Sequence, residues 1–361
     1  MRRPIGAATL MLTCAMLAPP AAQSQSSAAP PSRFLTERVT APRDSSRSSA
    51  IFLPSDYSAS RRWPVLFVLD PRGRAVPSLE RFAEAADRLG YVIVSSYDSR
   101  SDSTKEVNVG AINAMLATAM SRVAVDTTRM YLAGFSGTAR QIWDFAAELP
   151  GNIAGVIGFG AGLPNMNDHF AAAFEGRETL AFFGGAGEDD FNFVESKVFA
   201  HKLEGTLAVR FAEYAGPHAW PPAAICGAAL EWMHSRAMLG GRIAVDSAFI
   251  LGRIRAELDS ARALERSALL AKAAAAFQRI ADDYRGWPGA DQAKVKSAAL
   301  MSNPAVHDYF AWSATLADAE QRQEMELERA LVAARLRSMS TEQLIEALDV
   351  ETLKQRAASG D

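Results

Sequence analysis

The chain has 361 residues, of which 49% are hydrophobic and 22% charged, and a formal net charge of −3. That length fits one large domain or two medium ones around a substantial core. The slightly acidic balance excludes a chain driven to nucleic acid or to an anionic membrane by basic charge.

Arg2 and Arg3 precede an apolar run at 5–17 that is too short to span a bilayer, and Pro19-Pro20 and small residues follow it. Residues 1–25 therefore read as an export signal. The expected location of the mature chain is periplasmic or secreted, with no membrane span after cleavage. Cleavage removes Cys14 and leaves Cys226, set in an apolar run, as the sole cysteine. A buried, inert thiol and no intramolecular disulfide are expected. Residues 26–45 are rich in Ser, Pro and Arg and read as a mobile lead-in.

Short, near-continuously apolar runs then occur at 50–53, 65–69, 91–95, 130–133, 153–159, 179–183 and 207–214. Such runs fit strands buried on both faces of a parallel sheet. Helical stretches alternate with them at 77–89, 106–123, 137–148, 165–175, 191–204 and 221–238. The alternation predicts an α/β three-layer sandwich with a mostly parallel sheet over 46–243. The sequence leaves open whether the 50–53 region joins the parallel set or forms an antiparallel edge.

After about residue 243 the strand signal stops. Alanine-rich helical patterns follow at 246–263, 265–284, 290–301 and 306–337, with a break at Gly286-Trp287-Pro288-Gly289. Ser340-Thr341-Glu342-Gln343 has the capping-box pattern that starts one more helix. Residues 244–361 thus form a C-terminal all-helical appendage, a docking or lid module through which a protein partner or a second copy would associate.

The chemistry concentrates in Arg129-Met130-Tyr131-Leu132-Ala133-Gly134-Phe135-Ser136-Gly137-Thr138. An apolar strand runs into a small residue, then Ser136, then a helix. A serine on such a turn is exposed and backed by helix N–H groups. Gly134 and Gly137 give the turn room, and the Gly137 N–H is one candidate oxyanion donor. Thr138 stands where the G-x-S-x-G pattern has its last glycine.

A serine nucleophile needs a base. Of five histidines, His218 lies directly after the last strand, in Gly216-Pro217-His218-Ala219-Trp220-Pro221. His201 and His234 fall on helices with polar neighbours and read as solvated, while His169 and His307 lack a strand-end setting. The orienting carboxylate is sought after the strand at 179–183, in Gly187-Glu188-Asp189-Asp190-Phe191-Asn192. Asp190 is the choice and Asp189 the competitor. Both also suit the first turn of the following helix.

These three segments, with Leu132 to Gly137 as the first, resemble the α/β-hydrolase superfamily, in particular bacterial esterases related to polyhydroxybutyrate depolymerases and dienelactone hydrolases. The resemblance covers residues 50–238, about half the chain. It implies Ser136 as nucleophile, Asp190 as acid and His218 as base, in a serine hydrolase acting on a small-molecule ester. It also implies an oxyanion donor in the loop Val68-Leu69-Asp70-Pro71-Arg72-Gly73-Arg74. Many relatives have His-Gly where this chain has Asp70-Pro71. Proline lacks an N–H, so Arg72 is the expected donor.

Asp70, Tyr97 and Trp220 are candidate substrate contacts, the first two with a structural alternative: Asp70 as a brace for its loop, Tyr97 in a polar surface loop. The spacings HExxH and CxxC are absent, as is a phosphate loop, so no metal or cofactor is expected. Two other readings remain at this stage: a non-catalytic binding protein of the same fold, and a peptidase acting on short peptides with the same parts.

Overall fold

The computed structural model describes residues 35–336, apart from 102, 150, 163–173, 175 and 177–179, and residues 340–347. The export signal expected at 1–25, the helix expected at 165–175 except for Phe174, and His169 lie outside the described residues.

Eight strands form one sheet: β1 (Leu35–Ala41), β2 (Asp44–Phe52), β3 (Trp63–Leu69), β4 (Val92–Ser96), β5 (Val125–Phe135), β6 (Ile153–Phe159), β7 (Ala181–Gly187) and β8 (Ala208–Tyr214). Their spatial order is β1-β2-β4-β3-β5-β6-β7-β8. β1–β2 and β2–β4 pair antiparallel, and every pairing from β4 through to β8 is parallel.

The expected lead-in at 26–45 needs correction over its second half. Residues 35–41 are strand β1, and β2 begins at Asp44. Val39 and Ala41 are buried while Arg38 and Thr40 are exposed. This two-residue alternation marks a half-buried edge strand, although the Ser and Arg around it resemble a linker in composition.

The strands bury both faces. Along β3, Val65, Phe67 and Leu69 enter one apolar layer and Leu66 and Val68 the other, because successive side chains of a strand point to opposite sides. The first layer is closed by α2 (Lys105–Arg122), α3 (Gly137–Glu148) and α4 (Phe193–Leu203), which bring Met115, Trp143 and Phe199. The second is closed by α1 (Ala75–Leu89) and α5 (Ala223–Leu239), which bring Leu79, Phe82, Trp232 and Met233. Cys226 is buried in this layer, and burial pushes its thiol up to about 12.

The appendage comprises α6 (Ser247–Arg266), α7 (Leu270–Asp283), α8 (Ala290–Met301), α9 (Pro304–Leu336) and α10 (Thr341–Ala347). Asp246 caps α6 by accepting from the Phe249 N–H at 3.0 Å. Ile250, Ile254 and Leu258 recur along one side of α6 and pack with Phe277, Ile280 and Tyr284, and with Met238 of α5. Ser340 and Gln343 exchange hydrogen bonds at the start of α10, at 2.9 and 3.3 Å, which is the reciprocal arrangement of a capping box. Among the described residues no helix is long and apolar enough to cross a membrane.

Candidate active site

The parallel strands all present their carboxyl ends to one edge of the sandwich. The order reverses there, because β4 and β5 flank β3 on opposite sides, and such reversals open the crevice where α/β sheets bind ligands. Ser136 follows β5, Asp190 follows β7 and His218 follows β8, so three loops meet over one stretch of sheet.

Ser136 has φ 54° and ψ −132°. With Ala268 it is one of two non-glycine residues of positive φ among those described, and such conformations cost of order 1–3 kcal/mol. The neighbourhood holds it there. Its N–H donates to the Phe159 carbonyl at 2.9 Å, and its carbonyl accepts from Ala139 at 2.8 Å. At Gly134 a Cβ would come within 2.8 Å of the Thr138 and Ala139 backbone, so only glycine lets the strand and helix close. Thr138, the departure from the usual motif, is fully buried. Its hydroxyl accepts from the Phe135 N–H at 3.1 Å, and its proton faces the Leu69 and Phe135 carbonyls at 2.7 and 2.8 Å. Glycine there could not tie the turn to the end of β3.

His218 Nε2 lies 2.9 Å from Ser136 Oγ, and His218 Nδ1 lies 2.8 and 2.9 Å from the two oxygens of Asp190. An ionised carboxylate only accepts. The Nδ1 atom therefore carries the proton, and Nε2 is left to accept from the serine hydroxyl. Asp190 is 5% exposed and also accepts from the Asn192 N–H at 2.8 Å, whereas Asp189 is exposed. Burial and the bond to His218 single out Asp190 from its neighbour. Phe135 and Phe191 pack against the imidazole with ring centroids 4.7 and 4.3 Å away, and Phe191 is itself 81% exposed.

Gly137 opens α3, so its N–H has no partner within the helix and sits at the positive end of the helix dipole. The donor expected opposite it is corrected. The Arg72 N–H points to Asp70 Oδ1 at 2.8 Å and is thus turned into its own loop.

Asp70, by sequence also a candidate substrate contact, braces that loop instead. It is 1% exposed and accepts from the Arg72 and Arg74 N–H groups, the Arg74 guanidinium and Trp220 Nε1. Burial alone would raise its pKa, but these hydrogen bonds outweigh it and hold the carboxyl below its ordinary value. Trp220 is correspondingly structural: it is buried, bonded to Asp70 at 2.8 Å, and packed on Phe82, Phe135 and Phe159. Tyr97 turns its ring to the Arg38 guanidinium of β1, 4.0 Å away.

His234 also departs from expectation. Its ring lies against Tyr91 and Phe249, and burial lowers its pKa to about 4. His201 is exposed and bonded to Glu204. Among the described residues no cluster of three or more His, Cys, Asp or Glu side chains is placed to hold a metal ion.

The sheet order and the strand-turn-helix around Ser136 define an α/β-hydrolase type of fold. The chain matches no family model and no curated protein. Among solved structures it is similar to an S-formylglutathione hydrolase from Agrobacterium tumefaciens, at 15% identity over 56% of this chain and 94% of that one, with a TM-score of 0.41. It is also similar to a fluorophosphonate-binding serine hydrolase from Staphylococcus aureus, at 14% identity over 52% and 92% of the two chains, with a TM-score of 0.42. A feruloyl esterase module from Clostridium thermocellum matches at 11% identity over 56% and 87%, with a TM-score of 0.44. At these identities and scores, any reading of function rests on this chain's own side chains.

Proposed function

We propose that the chain is an exported serine hydrolase that cleaves carboxylic esters through an acyl-enzyme. The observation that carries this reading is the unbroken hydrogen-bonded line from Ser136 Oγ through His218 to the buried Asp190, at 2.9 and 2.8 Å. It starts on a serine held at positive φ at the mouth of a helix.

In this mechanism Ser136 Oγ attacks the ester carbonyl as His218 Nε2 takes its proton. Asp190 keeps the proton on Nδ1 and stabilises the imidazolium. The Gly137 N–H receives the charge that develops on the carbonyl oxygen. His218 then hands its proton to the departing alcohol. Water, activated by the same nitrogen, releases the acid from Ser136. The apolar run at 5–17 behind Arg2 and Arg3 is the basis for export.

The test is labelling with a fluorophosphonate probe, alongside turnover of short-chain p-nitrophenyl esters. Wild type should label and turn over, while Ser136→Ala should not label and should lose about 10⁵-fold or more in kcat. Equal labelling of both, or of neither across pH 6–9, rules the mechanism out.

A further inference from the structure

A serine hydrolase needs a second donor aimed at the oxygen that Gly137 serves. The loop after β3 has none to give. Pro71 carries no N–H. Arg72 and Arg74 donate to Asp70 Oδ1 at 2.8 and 3.2 Å, and Gly73 donates to the Asp70 carbonyl at 3.0 Å. Asp70 is in turn locked by Trp220 and the Arg74 guanidinium, so turning this loop outward would strand a buried carboxylate.

A different side chain lies against Gly137. A Cβ built on Gly137 would sit 2.5 Å from Ser101 Oγ and 3.2 Å from Ser101 Cβ. Glycine at this position thus leaves a space that the serine hydroxyl fills. Covalent geometry puts such a Cβ about 2.5 Å from the residue's own nitrogen, so Ser101 Oγ lies within about 5 Å of the Gly137 nitrogen. One oxygen accepting from an N–H and an O–H joins donors up to about 5.6 Å apart. The separation is thus short enough for the two groups to share one oxygen.

We infer that the Ser101 hydroxyl is the second oxyanion donor, replacing the backbone N–H that Asp70-Pro71 removes from the β3 loop. The inference rests on the serine-hydrolase reading above and extends it. Ser101 is half-buried, and its hydroxyl has no hydrogen-bond partner among the described residues. It is free to rotate toward the oxygen as charge develops, and it donates a hydrogen bond while keeping its proton.

Its backbone and the two residues before it are tied down at three points. The Ser101 N–H donates to the Pro71 carbonyl at 2.9 Å. The Ser99 hydroxyl donates to the Asp70 carbonyl at 2.8 Å. The fully buried Asn108 accepts from the Arg100 N–H at 2.9 Å, donates to the Arg100 carbonyl, and is bonded to Gln141 of α3. With the backbone held, only the side-chain torsions of Ser101 need adjust when the charge appears.

The experiment compares wild type, Ser101→Ala and Ser101→Thr on p-nitrophenyl butyrate. It adds the Ki of a trifluoromethyl ketone, which forms the oxyanion on Ser136, and of butyrate, which does not. Ser101→Ala should lose about 10²-fold or more in kcat, with KM within about twofold. Its ketone Ki should weaken by a similar factor while its butyrate Ki stays constant. Ser101→Thr, which keeps the hydroxyl, should retain activity within about tenfold. An active wild type with Ser101→Ala inside about threefold of it overturns the inference and spares the serine-hydrolase reading. So does equal loss in the Ala and Thr variants with a lowered Tm, which would mark a packing role. A wild type that neither turns over nor labels overturns both.

Discussion

At the carboxyl ends of the central strands, Asp190 and His218 form a single hydrogen-bonded line that ends on one serine oxygen. Where the appendage meets β8 and α5, the polar side chains are many and converge on one another. Arg210 of β8 reaches Glu257 of α6 at 2.9 and 3.0 Å and Asp283 of α7 at 2.9 Å. Trp232 of α5 donates to Asp283 at 3.0 Å, Tyr284 donates to Glu257 at 2.8 Å, and Arg253 bridges Glu231 and Glu257.

Burial opposes the charge on Arg210, but Asp283 and Glu257 outweigh it and hold the guanidinium above its ordinary pKa. Glu257 is held below its own for the mirror reason. The two regions show what buried charge does in different settings. In the proposed mechanism Asp190 orients His218, so its removal should be felt in rate. At the seam the charges are paired with one another, so removal should be felt in stability.

The sharpest way to break this comparison is at Asp190. Asp190→Asn should lower kcat by about 10⁴-fold, because an amide no longer enforces the Nδ1–H tautomer. Asp189→Asn should stay within about twofold. Equal, mild losses in steady-state assays would remove Asp190 from its role.

Next in size is the seam. Arg210→Met should destabilise the fold by about 3–5 kcal/mol, since it removes the cation that two largely buried carboxylates share. Denaturant unfolding measures this, and kcat per folded molecule should hold. A large fall in kcat at unchanged stability would show that seam and site are not separate.

The smallest effect concerns pH. The folded pKa of His234 is about 4, below its ordinary 6.5. Between these values the unfolded chain binds a proton that the folded chain refuses, so stability is full above about pH 6.5 and declines toward pH 4. His234→Gln should flatten the Tm profile across that window. A variant as acid-sensitive as wild type would place the cause elsewhere.

Much of the site was legible because it is local. A glycine-flanked serine between an apolar strand and a helix constrains its own backbone, and chain order ranks the carboxylate and histidine that follow. The helical span after 243 was legible too, through its period and through caps such as Asp246 and Ser340. The edge strand β1 was hidden because its alternation spans only four residues. Asp70 and Trp220 looked like substrate contacts because a polar or aromatic side chain in a strand-end loop carries no mark of whether it faces out or in.

By itself, then, the sequence determined the alternation of strands and helices, the turn at Ser136 and the region in which its partners lie. These follow from short-range backbone sterics and from the period of apolar residues. Only the tertiary structure decided that Asp190 and not Asp189 meets His218, that the Arg72 N–H turns to Asp70, and that Ser101 lies against Gly137. Each outcome is a competition for a hydrogen-bond partner or a small space between residues far apart in the chain, and packing alone determines which pair wins.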